Sequence, residues 1–277
     1  MQITDINGCV TLYNGVKMPY LGLGVYKAAE GKEVIDTVTY ALQAGYRHID
    51  TATLYQNEKG VGTAVRNSPV SRRDVFVTTK VWNSDQGYDA TLRAFEKSLK
   101  LMDFDYLDLY LVHWPVKGKF RETWKAMESL YKQGSVKAIG VSNFLEYHLR
   151  ELFLTAEIVP MVNQMEFHPY LVQQELIDFC KSRNIQYEAW GPLIQGRITT
   201  EERLKPLARK YNKDIAQIVL RWNLQKGVVT IPKSVTPSRI LSNTRIFDFE
   251  LSAEDMNRIG ELDREKRFGV DPNDFDF

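Results

Sequence analysis

The chain is predicted to fold as α/β, a single (β/α)8 TIM barrel with an N-terminal β-hairpin and two extra helices. Short apolar runs alternate with amphipathic stretches from end to end, the pattern of βα units on a parallel sheet. Eight such units can be counted, and no Pro/Gly/Ser-rich linker divides the 277 residues. Residues 1–277 are therefore read as one barrel domain, since barrels routinely exceed the usual length of a domain. A doubly wound sheet with helical additions is the competing arrangement, and it also places ligands at the carboxyl ends of its strands.

The elements follow in order. VTLYNGVKMP at 10–19 reads as a hairpin whose Asn14-Gly15 pair suits a two-residue type I′ turn. The strand candidates are YLGLGVY, YRHIDTA, VFVTTKV, YLDLYLVH, KAIGVSN, MVNQMEFH, IQYEAWGPL and VVTIPKS. Each precedes a helix candidate. In the first, EVIDTVTYALQAG, Val34, Val38 and Leu42 fall on one face at i, i+4 and i+8. NEKGVGTAVRN, YDATLRAFEKSLKLM, RETWKAMESLYKQG, LEYHLRELFLTA, QQELIDFCKSRN, DIAQIVLRWNLQKG and TPSRILSNTRI are the others, with extra helices at EERLKPLARKYN and AEDMNRIGELD.

Composition excludes several functions. Lys and Arg number 36 against 35 Asp and Glu, a net charge of +1, so there is no global field to hold a nucleic acid. Cys9 and Cys180 stand far apart without zinc-ligand spacing and are expected to be free thiols in a reducing compartment. The N-terminus lacks a basic segment followed by an apolar core, and no stretch has the ~20 apolar residues of a membrane span. The expected address is the cytoplasm, with no membrane partner and a monomeric chain.

Barrel function sits at strand ends. In order these carry Gly24, Val25 and Tyr26; Asp50 with Tyr55; Lys80 with Trp82; His113 with Trp114; Ser142 and Asn143; Gln164 with His168; Trp190; and Lys233 with Ser234. There is no GxSxG elbow, HExxH, HxH pair or GxxxxGK[ST] loop, and four scattered histidines make no metal site. GVGTAV at 60–65 lacks the final glycine of a dinucleotide fingerprint and lies within a helix candidate, where close helix packing accounts for it. A lone strand-end histidine is more often structural than catalytic, but here Asp, Tyr, Lys and His converge from successive strands. A phenol of pKa ~10 donates its proton reluctantly; a lysine cation beside it lowers that value, and a carboxylate keeps a buried lysine charged. Asp50, Tyr55 and Lys80 supply these parts, and a neutral His113 would orient a carbonyl beside the phenol.

These segments resemble the aldo-keto reductases along essentially the whole chain. GYRHIDTATLYQNEKGVG, VFVTTKVW, YLDLYLVHWP, IGVSNF, VNQMEFHP and IPKSVTPSRILSN occur in family order. The resemblance implies a catalytic tetrad of Asp50, Tyr55, Lys80 and His113, with Tyr55 as general acid. It also implies NADPH/NADP+ extended across the barrel mouth without a Rossmann loop. Ser142, Asn143 and Gln164 would hold the nicotinamide carboxamide, and Trp190 would stack on the ring. Lys233, Ser234 and Arg239 would grip the adenosine 2′-phosphate and Asn243 the adenine, although taken alone Lys233 and Arg239 read better as solvated surface charges. Gly24, Val25, Tyr26, Asp50, Leu193 and Val235 complete the implied cofactor contacts.

Trp190 stands where many members have tyrosine, which is similar to the microbial branch of 2,5-diketo-D-gluconate reductases, prostaglandin F synthase-like proteins and glyoxal reductases. Ser242 stands where many relatives have an acidic residue. The loop WPVKGKFRETW and the tail RFGVDPNDFDF are short, implying an open mouth lined by Tyr26, Trp82, His113 and Trp114 for small carbonyl compounds. The implied activity is NADPH-dependent reduction of aldehydes, α-dicarbonyls such as methylglyoxal, and keto-sugars. A nucleotide-sensing or partner-binding barrel with little turnover is the alternative, and a metal-dependent hydrolase lacks its ligand motif.

Overall fold

The computed structural model describes residues 3–274; the last three residues of the tail, 275–277, lie outside the described residues, as do the first two. Two short strands, β1 (Cys9–Thr11) and β2 (Lys17–Pro19), pair antiparallel with Val10 opposite Met18. Eight parallel strands come next: β3 (Leu23–Gly24), β4 (His48–Asp50), β5 (Phe76–Val81), β6 (Leu107–Val112), β7 (Val136–Ser142), β8 (Val162–Glu166), β9 (Gln186–Trp190) and β10 (Val229–Thr230). They neighbour one another in chain order. Bridges from Leu21 to Thr230 and from Gly24 to Lys233 join the first strand to the last, closing the ring that the sequence predicts.

Both seam strands are shorter than their apolar runs. The backbone still bonds across, Gly22 N donating to Thr230 O at 2.9 Å and Gly24 N to Pro232 O at 3.2 Å. The helices are α1 (Lys32–Gln43), α2 (Glu58–Arg66), α3 (Tyr88–Met102), α4 (Phe120–Lys132), α5 (Glu146–Phe153), α6 (Gln174–Ser182), α7 (Lys205–Tyr211), α8 (Ile215–Gln225), α9 (Pro237–Asn243) and α10 (Ala253–Gly260). On α1 the predicted stripe, Val34, Val38 and Leu42, is buried. The two extra helices are α7 and α10, tied together where Lys210 and Tyr211 both donate to Asp255.

The hairpin turn differs from expectation. Leu12 N donates to Val16 O at 2.9 Å and Gly15 N to Leu12 O at 2.8 Å, so the loop has three residues, not two. Only Gly15 takes a positive φ, 89°, whereas a type I′ turn needs one at both central positions. Asn14 is drawn elsewhere: its Nδ2 donates to Lys137 O, at the start of β7, at 2.9 Å. The hairpin thus covers the amino end of the barrel and leaves the carboxyl end for chemistry. The glycines of GVGTAV serve packing, because a Cβ at Gly60 would stand 2.3 Å from Val34 on α1 and one at Gly62 2.2 Å from the Met102 carbonyl on α3. Cys9 and Cys180 are free thiols. No helix among the described residues is long and apolar enough to cross a membrane.

Candidate active site

Strand alternation turns His48 and Asp50 to one face of β4, and Thr78 and Lys80 to one face of β5. These faces meet inside the barrel. Lys80 Nζ donates to Asp50 Oδ1 at 2.7 Å and to Thr51 O at 2.9 Å, with Lys80 fully buried and Asp50 2% exposed. Across the ring, β7, β8 and β9 align Ser142, Gln164 and Glu188 in one row. Gln164 Nε2 reaches over to Asp50 Oδ2 at 2.8 Å.

Tyr55 is placed by a turn. A single 3-10 turn at Thr53–Tyr55 ends on Gln56 at φ 55°, and the buried Asn57 anchors the chain at the start of α2. Asn57 Nδ2 donates to Val25 O at 2.9 Å and Ala28 O at 3.0 Å, while its Oδ1 accepts from Thr51 Oγ1 at 2.7 Å. One amide therefore ties the loop carrying Tyr26 to the loop carrying Tyr55, whose rings lie 5.0 Å apart. Lys80 Nζ stands 5.1 Å from the Tyr55 ring centroid. His113 extends the β6 ladder through its N donating to Val81 O at 3.3 Å, and its ring meets Tyr55 edge-on at 5.9 Å and Trp82 at 5.1 Å. Asp50, Tyr55, Lys80 and His113 thus come together as one cluster.

The electrostatics correct one expectation. Burial pushes the Tyr55 phenol up to about 12, outweighing the lowering by Lys80. Removing the phenol from water costs the phenolate more than a single shared cation returns. Burial would depress Lys80, yet Asp50 and Tyr55 hold it above its usual value, and burial raises Asp50 against the pull of Lys80. His113 is pushed well below its usual value, by burial first and Lys80 second, so its imidazole is neutral at pH 7. Its Nδ1 is buried with no hydrogen-bond partner among the described residues.

The other predicted residues separate into groups. Asn143 is left-handed, φ 64°; its Nδ2 donates to His113 O at 3.0 Å and Ser142 Oγ at 3.1 Å, and its Oδ1 accepts from Trp190 Nε1 at 2.9 Å. Ser142, Asn143, Gln164 and Trp190 therefore join the tetrad. Val25 is buried beside Gly24, whereas Tyr26 is 46% exposed at the mouth. Trp114 contributes less to the wall than expected: it is 7% exposed, folded under its loop where Gln86 Nε2 donates to its carbonyl at 2.7 Å.

Lys233 sits against Gly24 on the seam; Lys233 and Arg239 are exposed and have no ion-pair partner among the described residues. Ser234 Oγ accepts from Thr236 N at 3.1 Å, Asn243 is buried on α9, and Leu193 and Val235 are partly buried. Ser242 serves structure, its Oγ donating to Asp214 Oδ2 at 2.9 Å and so bracing the cap of α8.

Two carboxylates escaped sequence reasoning. Glu166 accepts from Phe268 N at 2.7 Å and Gly269 N at 3.2 Å, strapping the C-terminal segment over the mouth, and contacts His168 Nε2 at 3.0 Å. Glu188 is fully buried, its Oε2 accepting from Gln164 Nε2 at 2.9 Å. The available signal was alternation: in IQYEAW, Glu188 shares the face of Trp190 two residues on.

A model of the aldo/keto reductase family matches residues 20–264. The glyoxal reductase of Bacillus subtilis (strain 168) is 55% identical over 274 residues, covering 99% of both chains. Methylglyoxal reductase DkgA of Salmonella typhimurium is 47% identical, with 96% of this chain and 97% of that one covered. A crystal structure of a Gox0644 mutant in complex with NADPH is 44% identical, with a TM-score of 0.93 over 97% of this chain and 98% of that one. A likeness of this extent, across the strands that carry the buried Asp50–Lys80 pair and the rings above it, settles the family: the chain belongs to the aldo/keto reductases.

Proposed function

We propose that this enzyme reduces small aldehydes and α-dicarbonyls of the methylglyoxal type, with keto-sugars within reach, acting as one barrel domain over residues 1–277. The reaction class is that of the family, reduction of aldehydes and ketones to alcohols with NADPH. The observation that carries the substrate reading is the mouth: Tyr26 stands 46% exposed beside Tyr55, with Trp82 against His113, giving a small aromatic rim around a single proton donor. The 55% identity to a glyoxal reductase supports it.

The residues fit NADPH. Lys233 and Arg239 are exposed cations left without carboxylate partners among the described residues, which suits a phosphate; Lys233 bridges Gly24, itself in register with Asp50, and Arg239 follows on α9. Gln164 spends both amide hydrogens on Asp50 and Glu188, and so offers its carbonyl oxygen to a carboxamide N–H. Ser142 Oγ donates to Gln164 O at 2.9 Å and likewise keeps lone-pair capacity. Val25, Tyr26, Leu193, Val235 and Asn243 complete the lining. When bound, the nicotinamide supplies the hydride.

The chain's own residues manage the proton. Tyr55 stays protonated throughout the physiological range and gives its proton to the carbonyl oxygen as charge develops there. Lys80, fixed between Asp50 and Thr51 O, stabilises the phenolate left behind. Neutral His113 orients the carbonyl by one hydrogen bond, and Trp82, packed against His113, borders it.

The enzyme is proposed to be a cytoplasmic monomer without a nucleic-acid or membrane partner, in keeping with its near-zero net charge. The alternative of a cofactor-sensing barrel is not favoured, because the proton-donating cluster is fully assembled. NADPH-oxidation kinetics across aldehydes, dicarbonyls, keto-sugars and quinones test the reading; small α-dicarbonyls should lead in kcat/KM. A ranking led by bulky ketones or quinones would sink it.

A further inference from the structure

Glu188 lies mid-strand in β9 with its whole side chain out of water. The charged and titratable groups that face it are His48 and Asp50 from β4 and Lys80 from β5, with Gln164 reaching in from β8 and Thr78 beside His48. None of these gives Glu188 a cation. Lys80 is already bound by Asp50 and Thr51 O, and Gln164 divides its two amide hydrogens between the two carboxylates. His48 Nε2 stands 3.6 Å from Glu188 Oε1, but burial holds that imidazole at about 3, so it is neutral. Glu188 Oε1 accepts no hydrogen bond from the described residues.

A carboxylate in that position has two courses: remain ionised without a counter-charge, or hold a proton. Isolated buried charge is the more costly by far, so the group neutralises. Two carboxylates that share one amide also repel, and the one lacking the lysine is the one to take the proton. In agreement, burial and then the Asp50 charge push Glu188 up to about 8, outweighing the Gln164 hydrogen bond and the more distant pull of the Lys80 charge.

We propose that Glu188 is a positioning residue of the reductase, a neutral carboxylic acid that keeps the floor of the site at zero net charge so that Tyr55 remains a usable proton donor. It touches neither substrate nor cofactor and acts through Gln164 and Asp50. The inference rests on the reading that Tyr55 delivers the proton. No covalent step is involved: as pH rises the Glu188 proton leaves to solvent, and a second negative charge appears beneath the Asp50–Lys80 pair. That charge disfavours phenolate on Tyr55 and so slows proton donation. The alkaline decline of carbonyl reduction then belongs to Glu188, because Tyr55 and Lys80 titrate higher.

The test compares kcat for NADPH-dependent reduction of methylglyoxal from about pH 6 to about pH 10 in the wild type and Glu188→Gln, each normalised to its own neutral plateau. The wild type should decline through about pH 8, and the decline in Glu188→Gln should move up by ~1 pH unit or more, because an amide mimics the neutral acid and cannot ionise. Coinciding declines overturn the proposal.

Infrared difference spectra of the cofactor-free protein across the same range supply a readout without turnover. A protonated-carboxyl stretch should vanish as pH rises in the wild type and be missing from Glu188→Gln; a Glu188 already ionised at neutral pH overturns the proposal. Should the variant not fold, the wild-type decline is followed with temperature. A carboxyl ionises with almost no enthalpy, so its midpoint stays put, whereas a midpoint that moves as a phenol or ammonium does would overturn the assignment. Absence of NADPH oxidation with every carbonyl tested would sink the proposed reductase activity, and the infrared titration would then judge Glu188 alone.

Discussion

Trp190 Nε1 donates to Asn143 Oδ1 at 2.9 Å, tying the ring that ends β9 to the left-handed residue that ends β7. With its nitrogen already given to His113 O and Ser142 Oγ, the Asn143 amide is held in one orientation. Trp190→Phe keeps an aromatic surface and removes the donor. NADPH binding should weaken by ~0.5–1.5 kcal/mol, about two- to twelvefold in Kd, as read by equilibrium titration. Unchanged affinity would show that the bond does not organise the nicotinamide end.

Tyr55→Phe preserves ring shape and deletes the transferable proton. NADPH affinity should be retained while kcat for aldehydes falls by ~10²–10⁴-fold, the usual yield of a general acid. Reduction within about tenfold of wild type would remove Tyr55 from its role.

Lys80→Met leaves Asp50 buried without its cation. Turnover should be lost, and stability should drop by ~3–5 kcal/mol in denaturant titration at neutral pH. The sign with pH comes from the raised Asp50: in the variant the unpaired carboxyl favours its neutral form in the fold, so folding is least harmed in acid and more harmed as pH rises through the folded-state value. A defect independent of pH would argue against a buried unpaired charge.

Cofactor selectivity isolates Lys233 at the seam and Arg239 on α9 from the chemistry. Replacing Lys233 or Arg239 by Ala should cost NADPH ~1.5–3 kcal/mol, the range for hydrogen bonds to charged groups, and leave NADH nearly untouched. An unaltered NADPH to NADH ratio would place the 2′-phosphate elsewhere.

For His113, burial and Lys80 depress the imidazole well below its ordinary value. Wild-type reduction should therefore show no decline as pH rises through ~6.5, the unperturbed histidine value. His113→Gln, which keeps a donor, should retain measurable kcat/KM, and His113→Ala should lose more. A decline near 6.5 that vanishes in His113→Gln would make His113 the acid.

Much of this was legible in the sequence because the barrel repeats one period. The helix stripe of Val34, Val38 and Leu42 and the strand ends bearing Asp50, Lys80 and His113 come directly from alternation. The hairpin turn was not, because Asn14 is claimed by the Lys137 carbonyl, a tertiary partner that no local propensity encodes. The upward shift of Tyr55 was missed because pairwise reasoning counted the lysine and not the lost water. Glu188 was hidden since its meaning depends on Gln164, its ladder partner on β8, and on Asp50 of β4, which comes near only once the sheet has curled round.

Closure itself has a temporal consequence. Gly24 and Lys233 lie near opposite ends of the chain and meet at the seam. All four tetrad residues are synthesised long before β10, so a nascent chain carries its proton-donating cluster without a finished barrel or the cations proposed to hold the nucleotide. Such a chain cannot bind NADPH as the complete one does, and the long loop it must close makes this joining a late event. A cofactor held across the joint as proposed would favour completed molecules by mass action, by about 2.7 kcal/mol at a hundredfold excess over Kd. Cellular NADPH would in this way set how long a finished molecule survives proteolysis as well as how fast it turns over.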